Sequence, residues 1–171
     1  GVAELPAFGR GYRFHVTGLM HDERGYPTSD PTVAAALLAR LERKVAPAVD
    51  LVLPETYRLE DARVVLVAYG ITARIARAAV DALREQGVPA GLWRPRLLWP
   101  VPELALARAL AGAELVVVAE MNRGQWVREV DRVLGPQAPS APYLKAGGSV
   151  ITAEELTQHV LGAARAAAVV S

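Results

Sequence analysis

Two short runs constrain this chain more than any other feature: Arg63 to Tyr69 (RVVLVAY) and Glu114 to Ala119 (ELVVVA). Their interiors are apolar at every position, without the alternation that marks a strand with one wet face. Such runs belong to strands covered on both faces. Segments of helical spacing lie around them. Thr72 to Gln86 places Ile75, Ala76, Ala79, Val80 and Leu83 on one face, and Gly87 followed by Pro89 closes it. Pro102 to Leu110 is a second helix, closed by Gly112, and Gln125 to Leu134 is a third, stopped by Gly135 and Pro136. Ala90 to Trp93 is a short strand. Ala141 to Lys145 is a last strand, and Pro142 puts it at an edge. Thr152 to Val169 is the closing helix, with Thr152 and Glu155 spaced as a capping box. This alternation predicts a three-layer α/β/α domain over residues 48–171, with a mostly parallel, open sheet.

The first part of the chain has another texture. Residues 1–31 are rich in Gly, Pro, aromatic and charged residues, with one strand-like run, Tyr12 to Thr17. A helix then begins at Asp30, a suitable cap, and Pro31, which fits a first turn. Leu37, Leu38, Leu41 and Val45 give it an apolar stripe, and Pro47 ends it. Residues 1–47 therefore read as a linker segment with an appended helix. The chain starts Gly1-Val2-Ala3-Glu4, without an initiator Met or a signal pattern, and is expected to be a processed product or a piece of a longer polypeptide.

Composition excludes several functions. With no cysteine among 171 residues, the chain offers no disulfide, zinc thiolate, cysteine nucleophile or cluster ligand. A formal net charge of +1 implies no broad cationic surface, so no nucleic-acid partner is expected. No uninterrupted apolar stretch is long enough to span a bilayer, so no membrane partner is expected either. The dinucleotide fingerprint is absent, since Gly70-Ile71-Thr72 has one glycine where that turn needs three. Gly147-Gly148-Ser149 lacks the lysine of a phosphate-binding loop, and no serine sits in a G-x-S-x-G elbow.

Open parallel sheets bind ligands beyond the carboxyl ends of their strands. Gly70, Arg94, Arg96 and Lys145 stand at such ends and are candidate anion-binding residues. His21-Asp22-Glu23 is the densest cluster of potential ligands, but adjacent residues point in different directions and rarely share one metal. No metal site is expected, and a polar loop is the simpler reading. Glu120-Met121-Asn122-Arg123-Gly124-Gln125 joins an apolar strand to a helix. There Asn122 could cap the helix, Gly124 could permit a tight turn and Gln125 could bond backbone groups. Glu120 needs a partner if it stays charged, with Arg123 and Arg128 as local candidates. Trp93, Trp99 and Trp126, near element ends, suit a core or an interface.

Several segments together resemble one family. Val16-Thr17-Gly18-Leu19-Met20-His21-Asp22-Glu23-Arg24-Gly25 is similar to the V-T-G-x-E-H-D-E-x-G run of the alpha subunit of 2-oxoacid:ferredoxin oxidoreductases. Glu60-Asp61-Ala62 with Val67-Ala68-Tyr69-Gly70 resembles its E-D-A and V-A-Y-G. Leu98-Trp99-Pro100-Val101-Pro102 resembles its L-W-P-F-P, and residues 120–125 its E-x-N-x-G-Q. Met20 stands where the family has Glu, and Val101 where it has Phe.

The resemblance implies a transketolase C-terminal-like domain of that alpha subunit. The whole enzyme would decarboxylate a 2-oxoacid on thiamine diphosphate, reduce ferredoxin through iron–sulfur clusters and pass the acyl group to coenzyme A in the cytoplasm. This chain would bind no cofactor and hold no catalytic residue. It would pack against the thiamine-binding domain and the beta subunit, with His21, Asp22, Glu23, Asn122, Gly124 and Gln125 as contact residues. Two other readings stay open: a stand-alone anion or acyl-coenzyme A-binding regulatory module, and a fragment of a transketolase or branched-chain dehydrogenase beta subunit.

Overall fold

A computed structural model describes residues 4–13, 20–135 and 140–170. The chain divides into two compact units, residues 1–47 and 48–171.

The first unit is built on helix α1 (Pro31–Val45). Asp30 caps it as expected: its Oδ1 accepts from the backbone N–H of Thr32 at 2.8 Å and of Val33 at 3.3 Å, with Pro31 in the first turn. Arg43 and Lys44 lie in the last turn, where the helix dipole favours cations. Of the expected apolar stripe, only Leu37 is buried; Leu38, Leu41 and Val45 are each more than a third exposed. The strand expected over Tyr12 to Thr17 falls largely on residues 14–19, outside the described residues.

The second unit opens with a single turn of helix, α2 (Ala48–Leu51), and a short strand, β1 (Glu55–Tyr57), neither signalled by sequence pattern. It continues with β2 (Val64–Ala68), α3 (Gly70–Glu85), β3 (Ala90–Arg94), α4 (Glu103–Leu110), β4 (Leu115–Glu120), α5 (Val127–Leu134), β5 (Tyr143–Leu144) and α6 (Ala153–Val170). The five strands lie in the order β1-β3-β2-β4-β5. Pairing is parallel throughout except at β1, which runs antiparallel to β3 at the edge. The two apolar runs became β2 and β4, neighbours at the sheet centre, buried at every residue.

Alternation along the strands explains the layers. Val64, Leu66 and Ala68 of β2 face one side with Leu115, Val117 and Ala119 of β4, and α3 and α6 cover them. Val65 and Val67 face the other side with Val116 and Val118, under α4 and α5. The loop before β2 is held close against the sheet. A Cβ on Gly91 would stand 2.6 Å from the Arg58 carbonyl and 2.8 Å from the Ala62 Cβ, so only glycine fits. Arg84 of α3 fastens the same loop, donating to the carbonyls of Ala90 and Arg58 and to Asp61. These bonds from Arg84 hold the Asp61 carboxyl below its usual range.

Candidate functional site

Residues of like parity on β2 and β4 extend beyond the strands' apolar stretch as Tyr69 and Glu120. The alternation that turns Val116 and Val118 toward α5 also turns Glu120 that way, beneath the first turn of the helix. Glu120 is 1% exposed, yet neither arginine proposed as its partner meets it. Its charge is answered by four donors instead. Oε2 accepts from the Tyr69 hydroxyl at 3.0 Å, the Asn122 side-chain amide at 2.8 Å and the Trp126 backbone N–H at 2.9 Å. Oε1 accepts from the Val127 backbone N–H at 2.8 Å. Two of those donors are free N–H groups at the positive end of α5, where a carboxylate is most favoured.

Asn122 was expected to cap α5, but Glu120 does so. Asn122 caps the preceding turn, accepting from Gly124 N–H at 2.7 Å and Gln125 N–H at 3.0 Å. Gly124 holds φ +81°, and an added Cβ would stand 2.9 Å from Val127 and 3.0 Å from Leu144. The position thus demands glycine on two grounds. Gln125 is exposed, as are Arg123 and Arg128. Trp126 seals the cluster, stacked on Trp93 at 6.0 Å between ring centroids and edge-on to Tyr69 at 6.3 Å. Burial, and then the Glu120 charge, push the Tyr69 hydroxyl up to about 12, so it remains a donor at neutral pH.

This cluster fills the crevice between the carboxyl ends of β2 and β4, where chain crossovers diverge to opposite faces and α/β sheets commonly bind ligands. Both oxygens of Glu120 are occupied and shielded from solvent. The arrangement organises a turn and offers no open acid or base.

The four candidate anion-binding residues do not converge. Gly70 opens α3 with φ +58°. Arg94 and Arg96 reach Glu55 at 2.8 and 3.6 Å. Lys145 lies beyond β5, separated from β3 by β2 and β4, so roughly 14 Å away at ordinary strand spacing. Its ammonium donates to both oxygens of Glu155, at 2.8 and 2.9 Å, and to the Val150 carbonyl at 3.0 Å.

In the first unit, Asp22 closes a turn. Its Oδ1 accepts from Arg24 and Tyr26 N–H, each at 2.9 Å, while His21 bridges to Pro27. His21 and Glu23 are exposed and line a cleft of about 600 Å3 with Arg24, Val33, Leu37 and Arg40. Among the described residues no three His, Asp or Glu side chains group to hold a metal ion. Without cysteine, the chain offers no thiolate ligand for an iron–sulfur cluster.

Sequence reasoning found Glu120, Asn122 and Gly124 but missed Tyr69 and Trp126 as their partners. The parity of Val116, Val118 and Glu120 was the available signal.

Residues 62–156, more than half of the chain, match the family described as pyruvate:ferredoxin oxidoreductase core domain II. The chain belongs to that family. Further matches extend past this core domain II. The 2-oxoglutarate synthase subunit KorA of Methanocaldococcus jannaschii is 38% identical over 161 residues, which cover 94% of this chain and 43% of that protein. KorA of Methanothermobacter thermautotrophicus is 39% identical over 163 residues, with the same coverage of both. The core domain II chain thus spans less than half the length of these curated relatives. A solved 2-oxoglutarate:ferredoxin oxidoreductase from Magnetococcus marinus, with 2-oxoglutarate, coenzyme A and succinyl-CoA bound, superposes with a TM-score of 0.69 at 26% identity, over 93% of this chain and 28% of that one. A split-gene transketolase superposes with a TM-score of 0.52 at 24% identity, over 61% of this chain and 39% of that one, which shows the shared fold. No helix of the described residues is long and apolar enough to cross a membrane.

Proposed function

We propose that this chain is the non-catalytic assembly domain of a thiamine-diphosphate-dependent 2-oxoacid:ferredoxin oxidoreductase. What carries the reading is coverage: nearly all of this chain aligns with less than half of a 2-oxoglutarate synthase subunit. The sealed Glu120 cluster supports the absence of chemistry here, because it fills the crevice a substrate would otherwise enter. In this reading thiamine diphosphate and the iron–sulfur clusters belong to other parts of the assembly, in keeping with the lack of cysteine here. Coenzyme A and ferredoxin serve the whole enzyme, which we place in the cytoplasm.

The repeated 2-oxoglutarate names among relatives covering 89% or more of this chain favour 2-oxoglutarate as the substrate of that enzyme. The contact residues fall into two kinds. His21, Glu23 and Gln125 are exposed and would touch the thiamine-binding domain or the beta subunit. Asp22, Asn122 and Gly124 shape the turns that present them.

The test is reconstitution. The chain is purified alone, and also after co-expression with the remaining part of a KorA-type alpha subunit and its beta subunit. Coenzyme A-dependent reduction of a viologen dye by 2-oxoglutarate is then followed. The expected result is no activity alone and copurification with activity in the mixture. Turnover by the isolated chain, or failure to copurify, would contradict the proposal.

A further inference from the structure

A second polar centre lies at the outer end of the sheet. Leu92 and Arg94 of β3 share a face by the two-residue repeat, and Tyr57 and Glu55 of β1 stand directly opposite them. Leu92 belongs to the core that α3 covers, so these side chains lie on the α3 side. There α3 presents Arg74 and Arg77, one turn apart, beside Ala73. The small side chain of Ala73 leaves room, and these groups line an open cavity of about 120 Å3. Sequence pattern named Arg94 as a candidate anion ligand but not its partners, because β1 was unforeseen and its register brings the residues together.

Charge at this cavity is out of balance. Arg94 and Arg96 share Glu55. Asp81 is committed elsewhere: it accepts from the Tyr57 hydroxyl at 2.8 Å and pairs with Arg58 at 3.3 Å. The Arg77 guanidinium lies 4.1 Å above the centre of the Tyr57 ring. Among the described residues no carboxylate pairs with Arg74 or Arg77. The Nε–H of Arg94 is buried without an acceptor, a state that costs free energy until an acceptor arrives. Three guanidiniums, of Arg74, Arg77 and Arg94, therefore line the cavity with the single carboxylate of Glu55.

We propose that this cavity binds one phosphate monoester group, held by Arg74, Arg77 and Arg94. A dianion answers the charge excess better than a carboxylate, and its oxygens match the forked donors of arginine. The volume of about 120 Å3 has room for one tetrahedral oxyanion. The site stands apart from the oxidoreductase reading and does not depend on it.

Thermal unfolding of the whole chain tests it, with inorganic phosphate as the probe, against sodium chloride and sodium acetate at equal ionic strength. A ligand that binds only the folded state raises Tm saturably. Phosphate is expected to do so beyond chloride and acetate. The double variant Arg74→Gln/Arg77→Gln, changed at exposed positions, is expected to lose the rise while keeping its circular dichroism spectrum. Arg77→Lys keeps the charge but not the fork, and is expected to weaken phosphate binding about tenfold. It decides the matter if the double variant does not fold. No rise beyond chloride, an equal rise with acetate, or an undiminished rise in the variants (an adventitious ion only) would each overturn the proposal.

Discussion

The turns after β4 and after β5 both place a carboxylate at the start of a helix, in opposite surroundings. Glu120 is buried and meets four donors spread over residues 69–127. Glu155 is half-buried at α6 and closes a local box: it accepts from Thr152 N–H at 2.9 Å, while Thr152 Oγ1 accepts from Glu155 N–H at 3.1 Å. The chemistry is the same, but water can replace the second carboxylate and cannot replace the first. Removing a buried acceptor strands its donors, so the two turns should differ sharply in cost.

The largest effect is expected from Glu120→Ala, about 3 kcal/mol or more of stability by urea unfolding, because buried backbone N–H groups lose their acceptor and a void remains. A loss as small as that of an exposed cap would break the comparison. Asn122→Ala should cost about 2 kcal/mol, since its amide serves both Glu120 and the Gly124–Gln125 turn. Thr152→Ala should cost about 1 kcal/mol, as for an ordinary N-cap.

How legible each turn was follows from the same contrast. Thr152 and Glu155 are three residues apart, and that spacing alone names a capping box. The Glu120 cap acts across six and seven residues and recruits Tyr69 from another strand, so spacing could not name it. The helix cap was expected of Asn122, and the charge partner was sought among arginines, because local sequence offers only neighbours. The central strands were plain because continuous burial writes itself as continuous apolar sequence. The β1 strand was hidden because three residues, Glu55 to Tyr57, leave no period to read. The arginine cavity depends on that strand, so sequence named Arg94 as an anion ligand but not Arg74 and Arg77 beside it.

Titration sharpens the contrast with smaller effects. Tyr69 is raised from 10.0 to about 12. Its contribution is fully present below the unfolded value and is lost as pH rises through the folded one. Ultraviolet titration should find one tyrosine ionising near 12, absent in Tyr69→Phe. Glu155 shifts the other way, lowered chiefly by its hydrogen bond from Lys145. Its contribution is present above the unfolded value and disappears as pH falls through the lowered folded value. Lys145→Met should return that carboxyl toward its ordinary range, as read by carbon NMR, and make α6 less sensitive to acid. An unmoved Glu155 would remove Lys145 from the account.

The central proposal is that the polar turn following β4 shapes a domain and takes no part in the reaction of the whole enzyme. The most direct measurement is coenzyme A-dependent viologen reduction by the intact oxidoreductase carrying Asn122→Ala, expressed per assembled molecule. The account predicts a rate within about twofold of the unaltered enzyme, whereas loss of an acid–base group costs about a hundredfold or more. A fall of that larger size, in fully assembled enzyme assayed well below its unfolding temperature, would contradict it and place Asn122 in the chemistry.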